Sequence, residues 1–363
     1  MNPKSAIFSK YLSDEEIAKI VSDEEFIRKI FQFEIALAKE QAYLDMIPKK
    51  ASDEIRTVLS ELKIPPGALA EGTLQNGIPV IPLLELVKEK LSAEARKYLH
   101  FGATSQDAMD TALVLTLRDG LGIINERLAR LQDNLSKLLE KYGDTPCMAR
   151  TRAQLAVPIK FGNKIDAWLQ PLQRQQQRMK EISESILKVQ LGGAAGDLAI
   201  YQEKGESLLN ALASALQLSR APSWHAQRDS LCEFTNWLAM ISSILGKMGS
   251  DILVMGQSEI NEVTENAEGG GKSSAMPHKN NPVLSEALVA LAKLNAGLQS
   301  QQLLGMIHGN ERDATAWILE WDCIPQMLIN TGTALNHALT ISAKMKVNTA
   351  NMKKNVERFK NKE

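Results

Sequence analysis

The sequence predicts an all-α protein built on a long central helical bundle, and three observations predict it. Strand signals are almost absent, and apolar residues recur three or four apart along most of the chain, the period of one helix face. Leu231, Phe234, Leu238, Ile241, Leu245, Met248, Ile252 and Met255 keep that spacing without a break, a heptad-like seam. The chain has 363 residues, 44% hydrophobic and 23% charged, an ordinary globular composition with ample core.

Taken in order, Ser13 to Glu16 and Ser22 to Glu25 each place a glutamate three residues after a serine, the capping-box pattern of a helix start. The second opens a helix through Phe26, Ile30, Phe33 and Leu37 that ends before Pro48. Shorter amphipathic helices follow at 52–62 and 82–92, separated by the Pro65-Pro66-Gly67 break and the Gly72 to Pro82 loop. Residues 1–103 read as an N-terminal helical domain. Long helices are then expected at 105–142, 161–190, along the seam from 231, at 283–306 and at 317–343, giving a central domain over 104–343. Residues 344–363 read as a short remnant or the start of a C-terminal domain. Helices this long have more apolar surface than one chain's partners cover, which points to a bundle shared between copies in a homo-oligomer. An ordinary intrachain bundle is the alternative.

Composition narrows the function. A formal net charge of −1 lacks the basic excess of a general nucleic-acid binder, so any anion site must be local. Cys147, Cys232 and Cys323 are far apart with no CxxC spacing, which suggests neither a disulfide framework nor a zinc site and fits a reducing, cytoplasmic setting. The N-terminus lacks a signal-peptide core, and no apolar run is read as approaching the ~18 residues of a membrane span.

The densest chemistry lies in 268–282. Gly269, Gly270 and Gly271 free the backbone, and Ser273, Ser274, Met276, His278, Lys279, Asn280 and Asn281 follow before Pro282 starts a new helix. A glycine-hinged loop rich in donors suits a lid closing on an anionic substrate, where a plain solvated loop is the alternative. Gly271-Lys272-Ser273 imitates a P-loop ending. The glycine that motif needs is Asn266 here, however, and the preceding segment reads as helix rather than strand. A second anion site is expected at His100–Asp107. There Thr104 or Ser105 caps a helix whose free N–H groups and dipole favour a carboxylate, although capping alone would explain the same residues. Gly192, Gly193 and Gly196 read as a tight turn, and Glu311–Arg312 as either a surface ion pair or site lining.

Residues 273–282 are similar, position by position, to the Ser-Ser-x-Met-Pro-x-Lys-x-Asn-Pro signature of the fumarase/aspartase superfamily, with Lys272 where a glycine is usual. Members make or break a bond beta to a carboxylate, usually releasing fumarate. Segment 100–107 resembles their first substrate-binding region, where Thr104 and Ser105 would hold a carboxylate and His100 would lie at the edge. Thr151, Gln154, Ala156 and Pro158 match the second, Thr-His-x-Gln-x-Ala-x-Pro, with Arg152 at the histidine. An arginine does not exchange protons near neutrality, but it clamps a carboxylate. That departs from the lyases that use the histidine and suits a substrate with an additional carboxylate. Stretches at 76–82, 100–107, 190–196 and 308–321 resemble the bacterial 3-carboxy-cis,cis-muconate cycloisomerases.

The resemblance implies a fumarase/aspartase-like fold and a homotetramer with sites assembled from three subunits. It also implies a third, C-terminal domain, of which this chain holds at most the start. It implies a small polycarboxylate substrate, with no metal, no organic cofactor, no nucleic acid and no membrane. Ser273 would transfer the proton, with Lys279 and Asn281 stabilising an aci-carboxylate intermediate. His100, Thr104, Ser105, Thr151, Arg152, Gln154, Ser274, Met276, His278, Glu311 and Arg312 would surround the substrate. The implied reaction is addition of a carboxylate across a conjugated double bond within one molecule. A fumarate-releasing lyase and a catalytically dead helical scaffold are the alternatives.

Overall fold

A computed structural model describes residues 6–265, 271–277 and 279–360. The helices are α1 (Ser9–Leu12), α2 (Glu15–Ile20), α3 (Asp23–Tyr43), α4 (Lys49–Glu61), α5 (Ala70–Asn76), α6 (Val80–Lys88), α7 (Ser105–Tyr142), α8 (Gly162–Ile186), α9 (Gly205–Leu216), α10 (Asp229–Met255), α11 (Val283–Gly305), α12 (Ala314–Lys344) and α13 (Thr349–Lys360). The fold is all-α, as the spacing of apolar residues predicts.

Five long helices, α7, α8, α10, α11 and α12, enclose one core, in which Trp168 and Trp237 are fully buried. The seam from Leu231 to Met255 lies in that core along the whole of α10. Gly249 lets α10 and α11 approach closely, since a Cβ there would stand 2.7 Å from the Ser285 carbonyl oxygen. A second core joins α3, α4, α6 and α9 to the first turns of α7, through Ala108, Met109, Ala112 and Leu115. Helix α7, 38 residues long, therefore runs through both cores and spans ~57 Å at 1.5 Å per residue.

Three local expectations are corrected. Asp14, not Ser13, caps α2, accepting from the Ile17 N–H at 2.8 Å. Arg127 of α7 also reaches that carboxylate, at 2.6 Å, a buried pairing that a hydroxyl would not give. Residues 146–160, not read as strand, form a hairpin of β1 (Pro146–Thr151) and β2 (Gln154–Lys160). Its turn residues Arg152 and Ala153 both have positive φ, +49° and +65°, the geometry usually marked by Asn-Gly. Without that dipeptide the turn leaves no mark in the sequence. The segment before the 268–282 loop is the two-residue strand β3 (Val263–Thr264), paired with β4 (Lys346–Val347), rather than helix. Finally, α10 is long and apolar enough by composition to cross a bilayer, with a mean hydropathy of 1.4 over its best window. Half of that window is buried in the bundle core, which accounts for the composition.

Arg127 also donates to Glu16 at 2.7 Å and to the Gly332 carbonyl at 3.2 Å, tying α2 and α12 to α7. Arg127→Ala removes the cation from the buried Asp14 carboxylate, leaving it the Ile17 N–H and the Asn336 amide, and is expected to destabilise the fold by about 3–5 kcal/mol. Chemical denaturation checks this, and a loss under ~1 kcal/mol would contradict it.

Candidate active site

The first candidate region forms where α7, α10 and α12 begin and α11 ends. Its centre is Asp107, fully buried in the first turn of α7. One carboxylate oxygen accepts from the Gly192 N–H at 2.9 Å, Gln190 Nε2 at 3.3 Å and His225 Nε2 at 2.8 Å. The other accepts from the N–H groups of Thr104 and Gly193, both at 3.0 Å. Thr104 thus caps α7 as expected. Because Asp107 reaches back only to the Thr104 N–H, the Ser105 and Gln106 N–H groups at the helix start find no partner within the helix. Among the described residues no hydrogen bond takes them, and N–H groups at a helix start are of the kind that binds anions. The other two helix starts in question are closed. Glu265 takes the Leu284 and Ser285 N–H groups of α11 at 3.0 and 2.8 Å, and Asp313 takes the Thr315 N–H of α12 at 2.8 Å.

One turn further along α7, Asp110 receives Arg228 in a two-pronged pair at 2.7 and 3.0 Å, and Arg228 also binds Glu320 at 2.9 and 2.5 Å. All three side chains are buried. Burial raises the Glu320 pKa, and the Arg228 charge only partly offsets this. Arg312 does not pair with Glu311. It donates to Gln106 Oε1 at 3.0 Å and to the Ala194 carbonyl at 3.2 Å, clamping the glycine turn onto α7, while Glu311 is exposed. His100, at φ +60°, places Nδ1 2.5 Å from buried Glu34. Burial pulls its pKa down, but the Glu34 charge and hydrogen bond outweigh it and the net shift is upward.

The remaining candidates lie at the opposite pole. Thr151, Arg152 and Gln154 form the exposed tip of the β1–β2 hairpin, whose Arg150 sits 3.6 Å from buried Glu262. In the loop before α11, the Asn281 N–H donates to the Gly271 carbonyl at 2.9 Å and Lys272 bridges to Asn280, closing the neck. Only glycine fits at 271, because a Cβ would fall 1.9 Å from the Asn281 carbonyl oxygen. Ser273 Oγ accepts from the N–H groups of Ala275 at 3.3 Å and Met276 at 3.1 Å. Two donors aimed at one hydroxyl oxygen favour negative charge on it, as a proton-transferring serine requires. Ser274, Met276 and Lys279 are exposed around it, and Asn281 is half-buried. Gly269, Gly270 and His278, which the sequence places in the same lid, lie outside the described residues.

A single protomer does not bring these sets together. His100, Thr104, Ser105 and Arg312 stand at the start of α7. The hairpin follows its other end, and the Ser273 loop lies between the end of α10 and the start of α11. A separation on the order of 50 Å exceeds any small substrate severalfold. The sequence also passes over Asp107, Asp110, His225, Arg228, Glu320 and His308. Asp107 falls within the 100–107 stretch, and His308 and Glu320 within 308–321, but no local pattern gives any of them a role. Among the described residues, no three His, Cys, Asp or Glu side chains converge as metal ligands.

An all-α bundle of five long helices, with the Ser273 loop before α11, matches the fumarase/aspartase fold. The model of the lyase family matches residues 3–294, and this chain belongs to that family. A 3-carboxy-cis,cis-muconate cycloisomerase of Pseudomonas putida is 36% identical over 356 residues, 97% of this chain and 84% of the relative. The crystal structure of 3-carboxy-cis,cis-muconate lactonizing enzyme from Pseudomonas putida has a TM-score of 0.91 at 36% identity, covering 97% of this chain and 80% of that one. That of a fumarate lyase from Mesorhizobium sp. BNC1 has a TM-score of 0.89 at 34% identity, covering 95% and 78%.

The raised pKa of His100 fixes a sign. The His100–Glu34 pair contributes stability that is fully present below the unfolded histidine value of about 6.5 and is lost as pH rises through the folded value. His100→Asn keeps a residue that tolerates positive φ. The melting-temperature gap between parent and variant is expected to shrink as pH rises above 6.5. A gap constant from pH 6 to 9 would contradict the pair's role.

Proposed function

We propose that this protein is a 3-carboxy-cis,cis-muconate cycloisomerase that forms 4-carboxymuconolactone by intramolecular carboxylate addition. The carrying observation is Arg152. A permanent cation at the tip of the hairpin stands where the fumarate-releasing lyases place a histidine, and it suits a substrate with an extra carboxylate to clamp. In the reaction, one carboxylate oxygen of the substrate bonds to a carbon of the conjugated double bond. The π electrons move toward the carboxylate on the neighbouring carbon, giving an aci-carboxylate. That carbon then takes a proton, delivered by Ser273. The two N–H groups held on Ser273 Oγ stabilise the oxygen once its proton has left. Lys279 and Asn281 neutralise the aci-carboxylate, with Ser274, Met276 and His278 beside them. Thr104, Ser105, Thr151, Gln154 and Arg152 hold the other carboxylates. Arg312, Glu311 and His100 border them.

Because the two poles are so far apart, this reading requires a homo-oligomer, and we assign a homotetramer with each site shared between copies. Exposed apolar side chains on α11 and at the start of α12, including Leu294, Leu303, Leu304 and Ile318, supply a face for such packing. The three cysteines are buried and free, in keeping with a reducing cytoplasm. A fumarate-releasing lyase is the second reading, favoured by the similarity to the Mesorhizobium fumarate lyase.

The test is loss of conjugated-diene absorbance on mixing with 3-carboxy-cis,cis-muconate, with adenylosuccinate and argininosuccinate in parallel. Consumption of the muconate alone, falling at least 100-fold in Ser273→Ala, is expected. Turnover of adenylosuccinate instead would overturn the assignment. Indifference of every activity to Ser273→Ala would point to a scaffold.

A further inference from the structure

Helix α3 buries two polar side chains on one face, and both end on the same turn. Gln41, fully buried, donates to the Phe101 carbonyl at 2.7 Å, and Tyr201, from the turn before α9, donates to the same oxygen at 3.2 Å. Glu34, 2% exposed, sets one carboxylate oxygen 2.5 Å from His100 Nδ1, while its other oxygen is shielded from solvent and has no partner. His100 itself adopts φ +60°, which is uncommon for a residue with a side chain. A Cβ on the neighbouring Gly102 would fall 2.4 Å from the Tyr201 ring. A turn held this tightly from α3 fixes the direction of the His100 ring. Stability alone does not call for the charge, because replacing a buried ion pair by apolar side chains of similar volume is often neutral or stabilising. The imidazole also keeps one free end. His100 leaves 14% of its side chain exposed, and Nε2 takes no hydrogen bond among the described residues and is not shielded.

We propose that Glu34 is a positioning residue for substrate binding, holding the His100 ring by Nδ1–H as an imidazolium so that Nε2–H is presented as a charged donor to a substrate carboxylate. This rests on the polycarboxylate reading given above, in which His100 borders the substrate, and adds the residue that gives His100 its charge and its direction. With Nδ1–H committed to Glu34, Nε2 is the ring atom left to meet a ligand. The charged groups facing the ring are Glu34 from α3, Asp107 from α7 and Lys88 from the end of α6. Burial is the largest single influence and favours the neutral ring, and Lys88 adds to it. Glu34 and Asp107 together outweigh both and move the pKa above the usual 6.5. Without the Glu34 charge, burial wins and the ring is neutral at pH 7.5.

Calorimetry with propane-1,2,3-tricarboxylate, which has no double bond to react, tests this on the full chain between about pH 5.5 and 8.5. Dividing the parent's affinity by a variant's at each pH cancels the ligand's own ionisation. For Glu34→Gln, which keeps the size and an acceptor but no charge, the ratio is expected to be about 1 at pH ~5.5 and roughly 10 at pH ~7.5, the mark of a His100 pKa lowered by about one unit. Glu34→Asp, which keeps the charge at a shorter reach, is expected to stand closer to the parent. For His100→Asn, which has lost the titrating ring, the ratio is expected to be largest at low pH and to fall as pH rises. A purely structural role for Glu34 would make the Glu34→Gln ratio the same at every pH, which would overturn the proposal, as would a His100→Asn ratio independent of pH. Failure of the parent to bind the tricarboxylate would overturn the polycarboxylate reading and this proposal with it. The expected pH signature without muconate turnover would uphold the role of Glu34 and remove only the reaction assigned above, and muconate turnover with a flat Glu34→Gln ratio would do the reverse.

Discussion

Asp107 is the interaction on which the α7 pole depends. A fully buried carboxylate is costly unless donors surround it, and this one gathers five: three backbone N–H groups, the Gln190 amide and the His225 ring. Each donor comes from a piece that needs fixing. Thr104 sets the start of α7, Gly192 and Gly193 set the turn after α8, and His225 sets the approach to α10. His225 in turn places Nδ1 3.2 Å from Ser223 Oγ, which also accepts from Gln190 at 3.1 Å. One charge thereby locks three loops around the start of α7. The Asp110–Arg228–Glu320 cluster repeats the device one turn deeper, joining α7, α10 and α12.

The bundle then sets a constraint of its own. Long helices give a rigid frame, and a network of Asn295, Ser242, Thr331 and Asn330 fixes the register of α10, α11 and α12 within it. Rigidity over that length, however, puts the two sets of candidate residues at opposite ends of one molecule. The α7 pole has the dipole and donors for a carboxylate. The other pole has the serine, the lysine and the hairpin arginine. On the function proposed above, association of copies would bring the two ends together, and the exposed apolar side chains of α11 offer a face for it.

The helices were legible in the sequence because apolar spacing over 20 to 40 residues carries a strong signal. Thr104 and Ser22 were legible because capping selects few residue types. The hairpin was not, since Arg152 and Ala153 take up a turn conformation without the glycine or asparagine that would announce it. Asp107 and Arg228 were equally silent. The importance of Asp107 and Arg228 comes from partners 83 to 118 positions away in the chain, and no local pattern records such pairings. The sequence singles out Ser273, and the structure adds two N–H groups that favour negative charge on its oxygen.

The central claim is that a working site takes its carboxylate-holding pole from one copy and its serine loop from another. The most direct measurement is hybrid reconstitution: unfold Thr104→Ala and Ser273→Ala together, refold the mixture, and compare its 3-carboxymuconate turnover with each variant refolded alone. Sites shared between copies regain both intact poles by random assortment, and the mixture should recover about one quarter of parental activity. A mixture no more active than the two variants measured apart would mean that each chain carries its whole site, which contradicts the account.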